Sequence, residues 1–366
     1  MNGTTSTADL VIQIIWIALF LMLITGLNQR IQMKLWAMDV RAKLGVLKRM
    51  VDEDRAKVER ALTGLGLQNP TALVERVMNF FTIEPVEIEP TDIIKRLDHL
   101  IRTTDDTIES YLKGVLPNLD EFRLTLLESS LSIVSALNQI YKVVRHYLLT
   151  SERENNWVLL MQLELIMPQV LRIAETYHNA LDPFMTGKPI GDSAGPLVAH
   201  RLLEEAKLIS RRELQDTSIY EALLMDRRVF VIKAKGPGSN VGHPGDVLGK
   251  LVDELNGAVD MILTVDAALK LEGEELGEIA EGVGAAIGDP GPEKIAIERA
   301  ASKYGIPLRA LVIKMELRDA LNVMRKEVYD ACERAVERIK EIIRSETKPF
   351  STIVIAGIGN SLGVPG

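Results

Sequence analysis

Residues Leu10–Leu27 read LVIQIIWIALFLMLITGL, a run without charge in which only Gln13 and Thr25 are plainly polar. In hydrocarbon a chain must satisfy its own backbone N–H and C=O groups, so such a run is confined to helix. At 1.5 Å per residue it nearly covers a bilayer core of about 30 Å. A cleaved secretory signal would need basic residues ahead of the run and a small-x-small site after it. No Lys or Arg precedes it, whereas Arg30, Lys34, Arg41, Lys43, Lys48 and Arg49 follow. The positive-inside rule then puts the N-terminus outside and the body in the cytoplasm. Residues 1–28 are therefore expected to form a single-pass anchor in the cell membrane, touching lipid through residues 10–27.

From there to Asp182 the apolar spacing is helical. Leu44, Leu47, Val51, Val58 and Leu62 fall on one stripe with charges opposite. GLGLQNP (64–70) and EPVEIEP (84–90) interrupt the pattern with Gly and Pro. Thr91 or Asp92 suits an N-cap for the helix that follows. The stretch NNWVLLMQLELIMPQVLRIAETYHNAL is apolar enough to raise a second span. Gln162, Glu164 and Gln169 argue against it, because a carboxylate in lipid is costly, and Pro168 predicts a kink. His99, His146 and His178 lack a ligand-like neighbour at i+3 or i+4, which predicts surface or capping roles. Residues 29–182 read as an α-helical domain.

Beyond Pro183 the period changes. RVFVIKAKG (228–236), DMILTVDA (260–267), PLRALVIKM (307–315) and STIVIAGIGN (351–360) are β-branched apolar runs. DVLGKLVDELN, PEKIAIERAASKYG and RDALNVMRKEVYDACERAVERIKEIIRS lie between them with helical spacing. Alternating strands and helices predict an α/β domain over 183–366, a mostly parallel sheet between helices. Such sheets gather function at the carboxyl ends of their strands. The loop GPGSNVGHPG offers Gly236, Gly238, Ser239, Asn240 and His243 there, near a helix N-terminus where backbone N–H groups hold anions. It matches neither a Walker A loop nor a dinucleotide fingerprint, and a tight turn without ligand is the alternative. Asp266 ends the run MILTVDA, where it can serve as acid, base, metal ligand or turn cap. Asp192 opens DSAGPLVAHRLLEEA, where an N-cap is the plain alternative.

D-x-x-G-P-L-V opening a helix, an apolar strand ending V-D-A, and a strand of the GIPLRALVI kind resemble one fold. It is that of the spore germination proteases and hydrogenase-maturation endopeptidases. The resemblance covers about Gly187 to Gly366 and implies that Asp192 and Asp266 face one another. They would form an aspartate pair, as in the former, or hold the substrate's nickel, as in the latter. Those families carry G-x-G-N after their first strand. Here Gly357, Gly359 and Asn360 supply it at the far end of the chain, which implies a circular permutation. The endopeptidases' metal-site histidine has no match. The whole chain also resembles an archaeal family of uncharacterised membrane proteins, which implies no activity.

With 43 Lys and Arg against 51 Asp and Glu, the chain is acidic, so no nucleic-acid partner is expected. The single cysteine, Cys332, allows no internal disulfide. Two classes of function stand open. One is a peptidase-like hydrolase working through Asp192 and Asp266, either as an acid pair or through a divalent metal they hold. The other drops the chemistry: the glycine loops, with Gly357, Gly359 and Asn360, bind a peptide or a small anionic ligand. In its barest form it is a scaffold that assembles as a homo-oligomer at the membrane.

Overall fold

A computed structural model describes residues 11–12, 15–17, 27–80, 93–288 and 291–366. The anchor expected over residues 10–27 falls largely outside the described residues. Among those described, one helix is long and apolar enough to cross a membrane, Trp157–Thr186, on length and composition alone.

The chain divides into two compact units, the first formed by residues 1–53 and 136–175, the second by 54–135 and 176–366. The helices are α1 (Leu27–Gly64), α2 (Pro70–Met78), α3 (Ile93–Val115), α4 (Glu121–Arg153) and α5 (Trp157–Thr186). In the first unit, α1 buries Ala37, Val40, Leu47 and Val51 on one face, with Leu44 half-buried between them. Leu137, Val144 and Leu148 of α4 and Leu160, Leu163 and Met167 of α5 complete that core. Two ion pairs tie α1 to the others, Arg41–Glu152 and Lys43–Glu164, each at 2.7 Å. Helix α5 runs without interruption through Pro168.

The second unit holds a sheet of seven strands among the described residues: β1 (Lys207–Leu214), β2 (Thr217–Leu224), β3 (Arg227–Ala234), β4 (Met261–Leu269), β5 (Ile279–Val283), β6 (Leu308–Met315) and β7 (Thr352–Gly357). Their order is β1-β2-β3-β7-β4-β6-β5. The sheet is mixed rather than mostly parallel. β3, β7, β4 and β6 run parallel, while β1, β2 and β5 pair antiparallel at the two sides. The reason is local. Gln215-Asp216 and Met225-Asp226 all have positive φ, making two-residue turns that fold β1, β2 and β3 into consecutive hairpins.

Helices cover both faces of the central strands. Helices α6 (Ala194–Glu204) and α10 (Lys326–Glu346) pack on Val231, Leu263, Val265, Leu311 and Ile355. Helices α7 (Pro244–Glu254) and α8 (Pro292–Tyr304) pack on Phe230, Ile232, Ile262 and Val354. The helix expected to run unbroken from Arg318 to Ser345 is divided: α9 (Leu317–Leu321) ends, and Asn322–Arg325 is extended before α10 begins. That break does positional work. Asn322 O accepts from Gly191 N at 3.2 Å and Met324 N donates to Pro189 O at 2.8 Å, fixing the turn that carries Asp192. His178 is half-buried, its Nδ1 2.9 Å from Oδ1 of the fully buried Asp54.

Candidate functional site

β7 lies in the middle of the sheet, so its outgoing turn Ile358–Asn360 rises from the centre of the carboxyl edge. Three backbones meet there at distances only glycine permits. A Cβ on Gly195 would stand 2.1 Å from Ile358 O and 2.6 Å from Val265 O. One on Gly359, at φ +125°, would stand 2.1 Å from Asp192 O. The first turn of α6 is thereby pressed onto the ends of β4 and β7, with the 3-10 turn Gly191–Ser193 directly before it.

Asp192, partly buried, sits in that turn. Its Oδ2 accepts from Asn360 N at 2.9 Å, and burial pushes its carboxyl above the usual aspartate range. Asp266 is not at a strand end: it lies within β4, one position beyond the last residue paired with β7 and three before Leu269, and is 5% exposed. Its Oδ1 accepts from Ala267 N at 2.7 Å and its Oδ2 from Gly288 N at 3.0 Å. Burial, then the charge of Asp192, raise the Asp266 carboxyl well above the ordinary value; the two N–H donors only partly oppose them. The charge of Asp192 thus reaches Asp266 and, with burial, favours the protonated form of that carboxyl. Among the described residues no three His, Cys, Asp or Glu side chains converge to hold a metal ion.

The glycine-rich loop lies beside the pair. Gly236 and Gly238 bring backbone against Val364 O and Thr125 Oγ1. Ser239 N donates to Thr125 Oγ1 at 3.1 Å, Ser129 Oγ donates to Ser239 Oγ at 2.7 Å, and Asn360 Nδ2 donates to the same oxygen at 3.1 Å. Asn360 thus touches Asp192 through its backbone and the loop through its side chain. The backbone donors at the start of α7 are occupied from within the chain. Glu293 Oε2 accepts from Gly245 N at 2.6 Å and Asp246 N at 3.1 Å, and Glu293 Oε1 lies 3.1 Å from His243 Nδ1. A carboxylate of the protein fills the anion position of that helix end. What the loops offer a ligand is side chains: Ser239, Asn240, His243 and Asn360 line a cleft of about 610 Å³. Gly357 closes β7, its position against Gly195 O leaving no room for a Cβ.

The other wall of the cleft comes from α3 and α4, with Arg102, Asp106, Thr125, Glu128 and Ser129. None of these was singled out in the sequence. A side chain on the solvent stripe of an amphipathic helix carries no local mark of a site a hundred residues further on. Lys233 was also missed. It is fully buried in β3, donates to Pro365 O at 2.6 Å, and has its amine lowered to about 8 by burial and, less, by Arg211. A lysine inside the run VFVIKAKG was the available signal. Cys332 is buried, and burial pushes its thiol up to about 12, so it is not a nucleophile at neutral pH.

No curated protein matches this chain. Among solved structures, a likeness is found to the crystal structure of a Mycobacterium tuberculosis proteasome-assembly chaperone homologue. That likeness is at 16% identity over 44% of this chain and 83% of that one, with a TM-score of 0.30. Two family profiles cover almost the whole sequence, an N-terminal domain over residues 14–187 and a C-terminal domain over 190–365. The chain belongs to the two-domain family described as "Protein of unknown function (DUF1512)".

Proposed function

We propose that the α/β unit is a peptidase-like hydrolase whose working groups are Asp192 and Asp266, held at the cytoplasmic face of a membrane by the apolar segment Leu10–Leu27. The observation that carries the reading is the raised Asp266 carboxyl, buried at the carboxyl edge within reach of the charge of Asp192. Asp266, the more enclosed of the two, keeps the proton and delivers it to the leaving amine. Asp192, partly exposed and bonded through Oδ2, takes a proton from the attacking water on its other oxygen. A peptide lying in the adjoining cleft meets Ser239, Asn240 and Asn360 as hydrogen-bonding partners. The resemblance to the spore germination protease fold supports the same pair, and the central place of β7 suits the permutation it implies.

The test is hydrolysis of a mixed peptide library by the purified full chain, read by mass spectrometry, with Asp192→Asn and Asp266→Asn alongside. Cleavage by the parent and its loss in both variants is the expected result. Cleavage that survives the double variant would sink the reading. A second reading, binding without chemistry, is favoured by one observation: both oxygens of Asp266 already accept backbone N–H groups. Peptide retained by parent and variants alike, with no product from either, would select it.

A further inference from the structure

Residues 360–365, the irregular stretch beyond β7, tie three parts of the site together. Toward Asp192, Asn360 N donates to its Oδ2 at 2.9 Å, and Leu362 O accepts from Ser193 Oγ at 3.0 Å. Toward the glycine-rich loop, Ser361 N donates to Asn240 O at 2.7 Å and Gly363 N to Pro237 O at 3.0 Å. Ser361 Oγ adds a bond to Lys235 O at 2.7 Å. Toward β3, Pro365 O accepts from Lys233 Nζ at 2.6 Å. The strap thus begins on an acid of the site and ends on an ammonium.

That ammonium is out of place in a sheet core. Lys233 is fully buried, and among the described residues no carboxylate pairs with it; its other bond is a long one, 3.4 Å to Ala234 O. Ser218 lies directly across on β2, and the Tyr220 ring centroid is 6.0 Å from the amine. The hydroxyls of both are buried and have no hydrogen-bond partner among the described residues, so neither steadies the charge. A methionine would fill the same length without the unfavourable desolvation of a cation. What the lysine adds is a charge-assisted bond to Pro365 O, stronger than a neutral one, at one end of a segment whose other end holds Asp192.

We propose that Lys233 is a positioning residue for Asp192: its ammonium clamps Pro365, and residues 360–365 carry the clamp to the Asp192 carboxyl. This rests on the reading of Asp192 as a working group of the hydrolase.

The clamp responds to pH. The charged and titratable groups around Lys233 are Arg211 and Glu213 of β1, Tyr220 of β2 and His200 of α6. Burial first, then Arg211, lower the amine to about 8, and Glu213 opposes them weakly. Burial holds His200 below its ordinary value, so the imidazole is already neutral where Lys233 loses its proton. Above that pH the bond to Pro365 O loses its charge and the strap loosens.

Amide hydrogen exchange on the full chain, parent against Lys233→Met, tests this without substrate, because the Asn360 amide reports its own bond to Asp192. Lys233→Met should keep the protection of β4 and β6 but lose about tenfold at the amides of residues 360–364. In the parent, protection at Asn360 should step down as pH passes about 8, after correction for the intrinsic exchange rate. That second measurement needs no variant, and the absence of the step overturns the proposal. So does unchanged protection in Lys233→Met, or a loss confined to residue 364 with Asn360 still protected. On the mixed peptide library, Lys233→Met should turn over about tenfold more slowly and lack the parent's fall above about pH 8. Slower turnover with that fall intact would mean a merely structural role and overturns the positioning. A parent that cleaves nothing sinks the hydrolase reading alone, since the Asn360 amide still shows whether Lys233 holds Asp192 in place.

Discussion

The two units spend their polar chemistry in opposite directions. The first holds ten Lys and Arg against eight Asp and Glu, and its helices α4 and α5 leave Val143, Tyr147, Leu165 and Ile166 exposed. The second holds 33 against 43, and its distinctive groups face inward: Asp266, Thr264 and Lys233 are buried on the strands of one sheet. The net charge of the whole chain averages two unlike surfaces and describes neither.

The contrast can be broken in four places. The largest effect belongs to the inward-facing acids. Asn at either Asp192 or Asp266 should lower peptide hydrolysis by about 10²–10⁴-fold, and the double variant should fall little further, since groups acting as a unit are not additive. Turnover measured for the two single variants and the pair decides it; multiplied losses would mean two separate roles.

Next comes the packing that holds them. Gly195→Ala puts a methyl 2.1 Å from Ile358 O, which the backbone cannot yield without moving β7. A loss of about 3 kcal/mol or more is expected, read by chemical denaturation. A near-neutral result would mean the three-backbone junction is looser than drawn.

Smaller, and dependent on pH, is the contribution of Asp266 to stability. Its folded carboxyl binds a proton more tightly than the unfolded one, whose ordinary value is 3.8. The stability this confers is complete below that value and is lost as pH rises through the folded value. The melting temperature of the parent should therefore fall relative to Asp266→Asn between acidic and neutral pH. Parallel melting curves would remove the burial argument.

The smallest change lies in the first unit and has the opposite sign to its counterpart at Gly195. Gly45 sits mid-helix in α1 with nothing within 4 Å of an added Cβ. Gly45→Ala should stabilise by about 0.5–1 kcal/mol through backbone entropy alone. A destabilised Gly45→Ala would show a contact on that face of α1.

Legibility in the sequence follows the same physics. The four runs read as strands are β3, β4, β6 and β7, the parallel centre, because burial on both faces leaves continuous apolar sequence. The three strands that escaped are those at the sides. KLISRREL in β1 is exposed at every position, so nothing in it alternates, and its turn is Gln-Asp where Asn-Gly would have been a signal. β5 is five residues of mixed character. Asp192 and Asp266 stood out in the sequence as a helix start beside Gly-Pro and the close of an apolar run, although β4 continues past Asp266 to Leu269. Thr125, Ser129 and Glu293 were not, since their roles exist only once distant elements meet.

The place of β7 also sets a timetable. β3 and β4 flank a gap that only residues 352–357 can fill, and the chain leaves the ribosome more than eighty residues beyond β4 before those residues exist. Until then both strands present unpaired edges beside a nascent surface, the condition under which β-rich intermediates join one another. The hairpin β1-β2-β3 can form early on one side, and β4-β6-β5 on the other. The closure that unites them comes after both. A sheet assembled in that order is whole only once residues 352–357 have slotted between its two halves.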